Sequence, residues 1–100
     1  MTAKQIKNQV TPKTFSDKQI TVGNTYLFFL SNAEEIITMV RGYYKMTISA
    51  RMIAHKIQEY YEELLVEYSN SISPPFNAFL GQGFYSVDFL EIVLFVLKYI

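Results

Sequence analysis

Residues 49–68 read SARMIAHKIQEYYEELLVEY, and this stretch carries the clearest helical pattern in the chain. Its apolar residues recur at spacings of three and four, which places them on one side of an α-helix. These residues are Ile53, Ile57, Tyr60, Tyr61, Leu64 and Tyr68. The spacing predicts an amphipathic helix that begins near Thr47 or Ser49 and packs its apolar side on a core.

The acidic residues of this helix crowd toward its C-terminal end. At about 100° per residue, Glu62, Glu63 and Glu67 lie within about 80° of Glu59, opposite the apolar side. The basic residues, Arg51 and Lys56, come early in the helix. This order opposes the helix macrodipole and costs about 0.3 kcal/mol or more for each exposed charge. The acids therefore face solvent by geometry, with an unfavourable sign at that end.

Two apolar residues, Met52 and Val66, lie within about 20° of Glu59 on the same polar face. His55, the only histidine, precedes Glu59 by one turn. An acidic stripe that contains apolar residues suits a partner protein with a basic, partly apolar surface. A solvated face, or one covered by the basic N-terminal segment, is the alternative. The predicted partner-binding residues are Met52, His55, Glu59, Glu62, Glu63, Val66 and Glu67.

A helix start is signalled again upstream, at Ser16. Ser16 and Gln19 have the spacing of a capping box, which favours a helix over residues 17–30. The pair Gly23-Asn24 is a two-residue turn signal, so a β-hairpin around it is the alternative. The helix makes the protein all-α, and the hairpin makes it α+β.

Three further helices are predicted from capping signals. Their N-caps are Ser31, Ser73 and Ser86. The helix from Ser86 runs to Ile100 and is apolar almost all round, which is typical of a central helix or an interface helix. We predict homodimerisation through it, by Phe89, Val93, Val96 and Ile100. In the tyrosine pairs Tyr43-Tyr44 and Tyr60-Tyr61, Tyr44 and Tyr61 lie nearest the apolar faces.

The chain as a whole is predicted to be a compact all-α bundle of four or five helices. Residues 16–100 form a single helical domain, and residues 1–15 form a flexible basic arm. Residues 1–20 hold four lysines and one aspartate, for a net charge of +3, and residues 21–100 carry −3. An acidic body argues against nucleic-acid binding by the domain, because such domains are usually basic.

Composition excludes several kinds of site. The chain has no cysteine, which removes disulfides, thiolate metal sites and a cysteine nucleophile. It has no phosphate-binding loop, no dinucleotide fingerprint and no nucleophile elbow. We therefore expect no enzyme activity, no cofactor and no metal. No apolar stretch is long enough to span a membrane, and the N-terminus lacks a signal-peptide core, so we expect a cytoplasmic protein.

A helix-turn-helix motif is the alternative interpretation of residues 32–68. With Gly42 as the turn glycine, Ile37 and Ile48 fall on positions that such motifs bury. Arg41 and Arg51, however, fall on positions that should be apolar, and the second helix becomes acidic, which repels phosphate.

The leading functional prediction is a small non-catalytic interaction protein, a regulator or inhibitor that presents an acidic helix to a basic partner. Frequent Ile, Tyr, Phe, Lys and Asn are typical of an AT-rich genome such as that of a phage or plasmid. From such a source, the acids would mimic phosphates toward a nucleic-acid-handling host protein. The alternative function is a DNA-binding regulator.

Overall fold

The computed structural model describes residues 1–16, 25–70 and 87–100, and within these residues all regular structure is α-helical. The described helices are α1 (Ala3–Lys7), α2 (Thr25–Tyr44), α3 (Ala50–Asn70) and α4 (Phe89–Leu97). The all-α prediction is confirmed. The hairpin alternative fails at its second strand, because residues 25–29 are helical. The features predicted within 17–24 and 71–86, including Gln19, Gly23-Asn24 and the Ser73 and Ser86 caps, lie outside the described residues.

The N-terminal segment differs from the predicted arm. Thr2 and Gln5 form a capping box that starts α1, with the Gln5 N–H donating to Thr2 Oγ1 at 3.1 Å. Ile6 is fully buried, and α1 packs against α2. Val10 and Phe15 are also buried in the same core. Residues 6–15 thus belong to the packed body, in which three of their apolar side chains are buried.

Helix α2 contains a kink where a helix boundary was predicted. Asn32 departs from helical geometry, with φ −125° and ψ 17°, and its Nδ2 donates to the Phe28 carbonyl at 3.0 Å. The chain is helical on both sides of this residue, so two helical segments meet at Asn32, one residue after the predicted N-cap Ser31. A side chain that competes for a backbone carbonyl is a recognised cause of helix bending.

A tight turn joins α2 to α3. Thr47 has a positive φ of 57°, the left-handed conformation in which many helices terminate. Ser49 then starts α3, with its Oγ accepting from the Met52 N–H at 3.2 Å. Tyr43 is half-buried and Tyr44 is 54% exposed, so the prediction that Tyr44 is the core ring is wrong. The reason is that α2 ends at Tyr44, beyond the edge of the core.

Helix α4 is the central apolar helix of the described core. Asp88 is its N-cap, accepting from the Glu91 N–H at 3.1 Å, and the helix ends at Leu97, three residues before the predicted end. Glu91 in turn accepts from the Ser16 hydroxyl at 2.6 Å, which ties the N-terminal segment to α4. The buried residues of α4 are Phe89, Ile92, Val93, Phe95 and Val96.

Aromatic rings fill the space between the N-terminal segment, α2 and α4. Phe15, Phe29 and Phe95 meet edge to face, with ring centroids 5.6 to 6.0 Å apart. Edge-to-face contacts of this kind contribute about 0.5–1.5 kcal/mol beyond the area they bury. Phe15, which lies at the end of the predicted arm, is therefore one of the residues that hold the helices together.

Burial of the N-terminal segment can be tested at Ile6. We expect Ile6→Ala to lower the free energy of unfolding by about 2–5 kcal/mol, because it leaves a cavity under α1. The matched control is Lys4→Ala on the exposed side of α1, which should change stability by about 0.5 kcal/mol or less. Urea denaturation followed by circular dichroism measures both. Equal stability of the two variants would mean that residues 1–15 are an unpacked arm.

Candidate protein-binding face

The outward side of α3 consists of the residues that the sequence pattern places in solvent. We define the acidic face as Met52, His55, Glu59, Glu62, Glu63, Val66 and Glu67. All are exposed except Glu62, which is half-buried. Met52 is 46% exposed and Val66 59%, whereas Ile53 and Ile57 on the other side of the helix are buried. The structure therefore confirms the buried side of α3 at Ile53, Ile57 and Tyr61, whereas Tyr60 and Leu64, predicted on that side, are exposed. The binding role of the acidic face stays a prediction.

Most of the acidic face lines one surface depression. Its volume is about 470 Å³. The lining residues are Glu59, Glu62, Glu63, Val66 and Glu67. Met52 and His55 do not line it, because they lie toward the N-terminal end of α3. Four carboxylates around one exposed valine form a concave surface that can receive a cationic side chain with an apolar stem, as lysine and arginine have.

Two polar contacts within α3 order this face. His55 Nε2 lies 2.7 Å from Glu59 Oε1, an i, i+4 ion pair when the imidazole is protonated. Gln58 Nε2 donates to Glu62 Oε1 at 3.3 Å. His55 and Glu59 keep 64% and 57% of their side-chain surface exposed. Exposed pairs of this kind contribute up to about 1 kcal/mol, so they align the side chains and leave them accessible to a partner.

A cluster that sequence reasoning missed fixes how α3 sits on α2. The Tyr61 hydroxyl donates to Glu35 Oε1 at 2.6 Å, and the Tyr60 hydroxyl donates to Glu35 Oε2 at 3.1 Å. One carboxylate of α2 thus receives two phenols of α3. No pattern in the sequence predicts such a pair, because residues 35 and 60 are far apart in the chain and their meeting depends on the helix packing angle.

Burial and hydrogen bonding change the acidity of both phenols. Burial raises the pKa of Tyr61 far above its usual value near 10, and the hydrogen bond to Glu35 raises it further. The hydrogen bond to Glu35 is the main cause of a raised pKa at Tyr60, which is exposed. Both shifts favour the protonated phenol, which is the form that donates to the Glu35 carboxylate.

Two acidic residues of α2 lie outside the acidic face. Glu34 and Glu35, with Tyr60, line a second depression between α2 and α3, and none of the acidic-face residues lines it. Both glutamates are exposed at the surface. Their position beside α3 could not be predicted, since no pattern along one helix reports on the next.

The predicted oligomer interface is largely internal. Phe89, Val93 and Val96 are at most 4% exposed within a single copy, whereas Ile100 is 43% exposed. The prediction that these residues face a second copy is wrong for the first three. Most of the apolar side chains of α4 are buried in their own chain, although Leu94 is 48% exposed, and the sequence pattern of such a helix is the same in a core and in an interface.

The helix-turn-helix alignment also changes in the structure. Gly42 lies inside α2, and the turn to α3 is formed around Thr47. The Arg41 guanidinium donates to the Met1 carbonyl. Arg51 is exposed at the start of α3, in a depression lined also by His55 and Asp88. The glycine that anchored the resemblance therefore does not occupy a turn.

Residues 1–16, 25–70 and 87–100 bring together no group of three or more His, Asp or Glu side chains that could hold a metal ion. None of the described helices combines the length and the hydropathy that a membrane span requires. Comparison with protein-family models, curated proteins and solved structures finds no match.

Charge reversal tests the outward position of the acidic face. We expect the variant Glu59→Lys/Glu62→Lys/Glu63→Lys/Glu67→Lys to keep its helicity or gain slightly, because positive charge suits a helix C-terminus. Far-UV circular dichroism and the melting temperature measure this. The control is Ile57→Lys on the buried side, which should unfold the protein. Unfolding of the charge-reversed variant would contradict the solvent-facing assignment.

The raised pKa of Tyr61 predicts a loss of stability in alkaline solution. Above pH 10 the unfolded tyrosine loses its proton while the folded one keeps it, so stability falls as pH rises. Tyr61→Phe should be less stable at pH 7 by about 1 kcal/mol, through loss of one hydrogen bond. Its melting temperature should fall less steeply than that of the native protein above pH 10. Parallel curves for the two proteins would contradict the buried position of this phenol.

Proposed function

We propose that the protein is a non-catalytic interaction module whose acidic face binds a basic, partly apolar surface of a protein partner. The observation that carries the proposal is the depression in which Glu59, Glu62, Glu63 and Glu67 surround the exposed Val66. Aligned carboxylates attract lysine and arginine, and an exposed aliphatic group packs on their stems. A regulator or inhibitor acts in this way, by covering a basic surface of its target.

Electrostatics support a partner for this face. Two i, i+4 pairs on this face carry like charges, which destabilise an isolated helix slightly. They are Glu59 with Glu63 and Glu63 with Glu67. Glu67 also lies in the last turn of α3, where the helix macrodipole disfavours negative charge. A cationic surface placed against these glutamates relieves both penalties when it binds. The resulting attraction is long-ranged and weakens with salt, so binding is expected to be fast and sensitive to ionic strength.

The nature of the target belongs to the same proposal. A basic surface with apolar parts is common on proteins that bind nucleic acid, and a row of carboxylates can occupy the place of phosphates. We therefore infer that the target is a nucleic-acid-handling protein of a host cell and that the chain acts in the cytoplasm as a phage or plasmid product. DNA binding by the chain itself is the weaker alternative, since its supporting residues are Arg51 and Lys56 while the rest of α3 is acidic.

Affinity capture tests the proposed function. The tagged native chain, exposed to extract of its source cells, should retain a protein with a basic surface, identified by mass spectrometry. The variant Glu63→Lys/Glu67→Lys should lose that protein, because two attractive contacts become repulsive. Glu34→Lys, an exposed charge reversal on α2, is the control and should reduce capture less.

Salt provides the second measurement. Capture by the native chain should fall as the salt concentration is raised, since the contacts lie at an exposed surface. Equal capture by the native chain and by Glu63→Lys/Glu67→Lys would overturn the role of the acidic face. Retention of DNA by the chain, with loss of that retention in Arg51→Glu/Lys56→Glu, would favour the DNA-binding alternative.

A further inference from the structure

Charge changes sign along the exposed side of α3. Arg51 is exposed in its first turn, Lys56 is half-buried in the second turn with its Nζ 5.9 Å from the centre of the Tyr43 ring, and residues 36–58 contain no Asp or Glu. From Glu59 to Glu67 all charges are negative. Arg51 and Glu67 lie in the first and last turns of α3, where each sign opposes the helix macrodipole, and the favourable arrangement would be the reverse. A second α3 laid antiparallel supplies that reverse arrangement, because its basic, N-terminal end lies beside the acids of the first.

The exposed apolar residues on this side of α3 are also placed symmetrically about Glu59. Met52 and Val66 lie seven residues before and seven residues after Glu59, about 10 Å from it in either direction along the axis. Both are exposed, at 46% and 59%. In an antiparallel pair centred on Glu59, Val66 of one copy lies level with Met52 of the other. Two exposed apolar contacts then form, one on each side of the centre.

We propose that two copies of the chain pair through this side of α3, antiparallel, with the two-fold axis beside Glu59. The proposal rests on the proposed function in that it takes the acidic face as a protein-binding surface. It goes further by proposing that, in the absence of the target, a second copy of the chain occupies the same face. Such a contact is self-complementary, as a two-fold interface requires, and it closes at two subunits.

Charged residues match in this register on both edges of the contact. Relative to Glu59, Glu63 lies about 40° and Lys56 about 60° to one side of the α3 surface. The two-fold rotation leaves these residues on the same side of the contact in both copies. Glu63 of each copy therefore faces Lys56 of the other, and the two positions differ by about 1.5 Å along the helix axis. A parallel pair would instead place acids beside acids, which is repulsive.

The other edge of the contact is matched too. Glu62 lies about 60° to the opposite side, and His55 and Arg51 lie about 40° and 80° to that side. Glu62 of each copy therefore lies about 1.5 Å from the level of His55 of the other and about 7.5 Å from the level of Arg51. The two Glu59 carboxylates approach at the centre, where each Oε1 lies 2.7 Å from its own His55 Nε2, an ion pair when the imidazole is protonated. Glu67 lies beside the N-terminal end of the second α3, the positive end of its macrodipole.

The contact is narrow, and this sets the expected strength. From Arg51 to Glu67 the face is about 24 Å long and one helix wide. Stable dimers usually bury about 800 Å² on each partner, which a single helix pair approaches only with help from neighbouring residues. We therefore expect dimers at high protein concentration and monomers in dilute solution. Salt should weaken the association, because most of the contacts are charged.

Sedimentation equilibrium over a range of protein concentrations tests the proposal. The native chain, of mass 11.6 kDa, should approach twice that mass as its concentration rises, and less so in high salt. Glu63→Lys and Lys56→Glu should each weaken the dimer about tenfold, because the symmetric contact contains the pair twice. The double variant Glu63→Lys/Lys56→Glu should restore it. Glu34→Lys, matched in charge but on α2, should leave the dimer unchanged.

Cross-linking gives an independent measurement of the register. The chain has no cysteine, so Glu59→Cys introduces a single thiol at the proposed two-fold axis. Mild oxidation should convert this variant to a covalent dimer, and Glu34→Cys should stay monomeric under the same conditions. A native chain that is monomeric at every concentration, or a double variant that fails to restore the dimer, would overturn the proposal. A monomer that still captures a basic protein through Glu63 would overturn the self-pairing and leave the proposed function standing.

Discussion

Tyr61 makes the contact on which the orientation of α3 depends. Its ring meets Phe28 of α2 edge to face at 5.0 Å and stacks on Phe89 of α4 at 6.2 Å. Its hydroxyl donates to Glu35 of α2. A ring fixed against two helices, with a directional hydrogen bond at its tip, leaves α3 little freedom to rotate about its axis. The opposite side of the helix is thereby held in solvent.

This orientation determines what the surface can do. With Ile53 and Ile57 buried, the side that carries Glu59 and Glu63 faces outward. The unfavourable charges on that side are tolerated in the free protein, because each costs only about 0.3–1 kcal/mol when it is exposed. The apolar side stabilises the fold by a larger amount through the area it buries. The fold can therefore present a charge pattern that the isolated helix disfavours. A complementary surface that binds there removes this small electrostatic penalty.

The sequence predicts those features that a single helix determines. The two sides of α3 follow from its periodicity, and the cap at Ser49 follows from its position before the apolar pattern. The Glu35 contact with Tyr60 and Tyr61 could not be predicted, because it depends on where two helices cross. Helix α4 could be assigned as apolar but not as internal, since burial within one copy and burial between copies produce the same composition.

Other features could not be predicted in full from the sequence, for local reasons. Helix α1 has only five residues and one fully buried side chain, Ile6, which is too short a pattern for periodicity to detect. The capping-box spacing of Ser31 and Glu34 does locate the break in α2 to within one residue, since helical geometry is interrupted at Asn32, but it does not predict how closely the two helical segments follow each other.

Cysteine accessibility at two adjacent positions of α3 tests most directly whether this helix is oriented as described. Met52 is 46% exposed and Ile53 is 1% exposed, and the native chain has no cysteine. In dilute solution, Met52→Cys should react with a maleimide at close to the rate of a free thiol. Ile53→Cys should react slower by at least about tenfold, since reaction requires the core to open. Equal rates at the two positions, in variants that remain folded, would contradict the account.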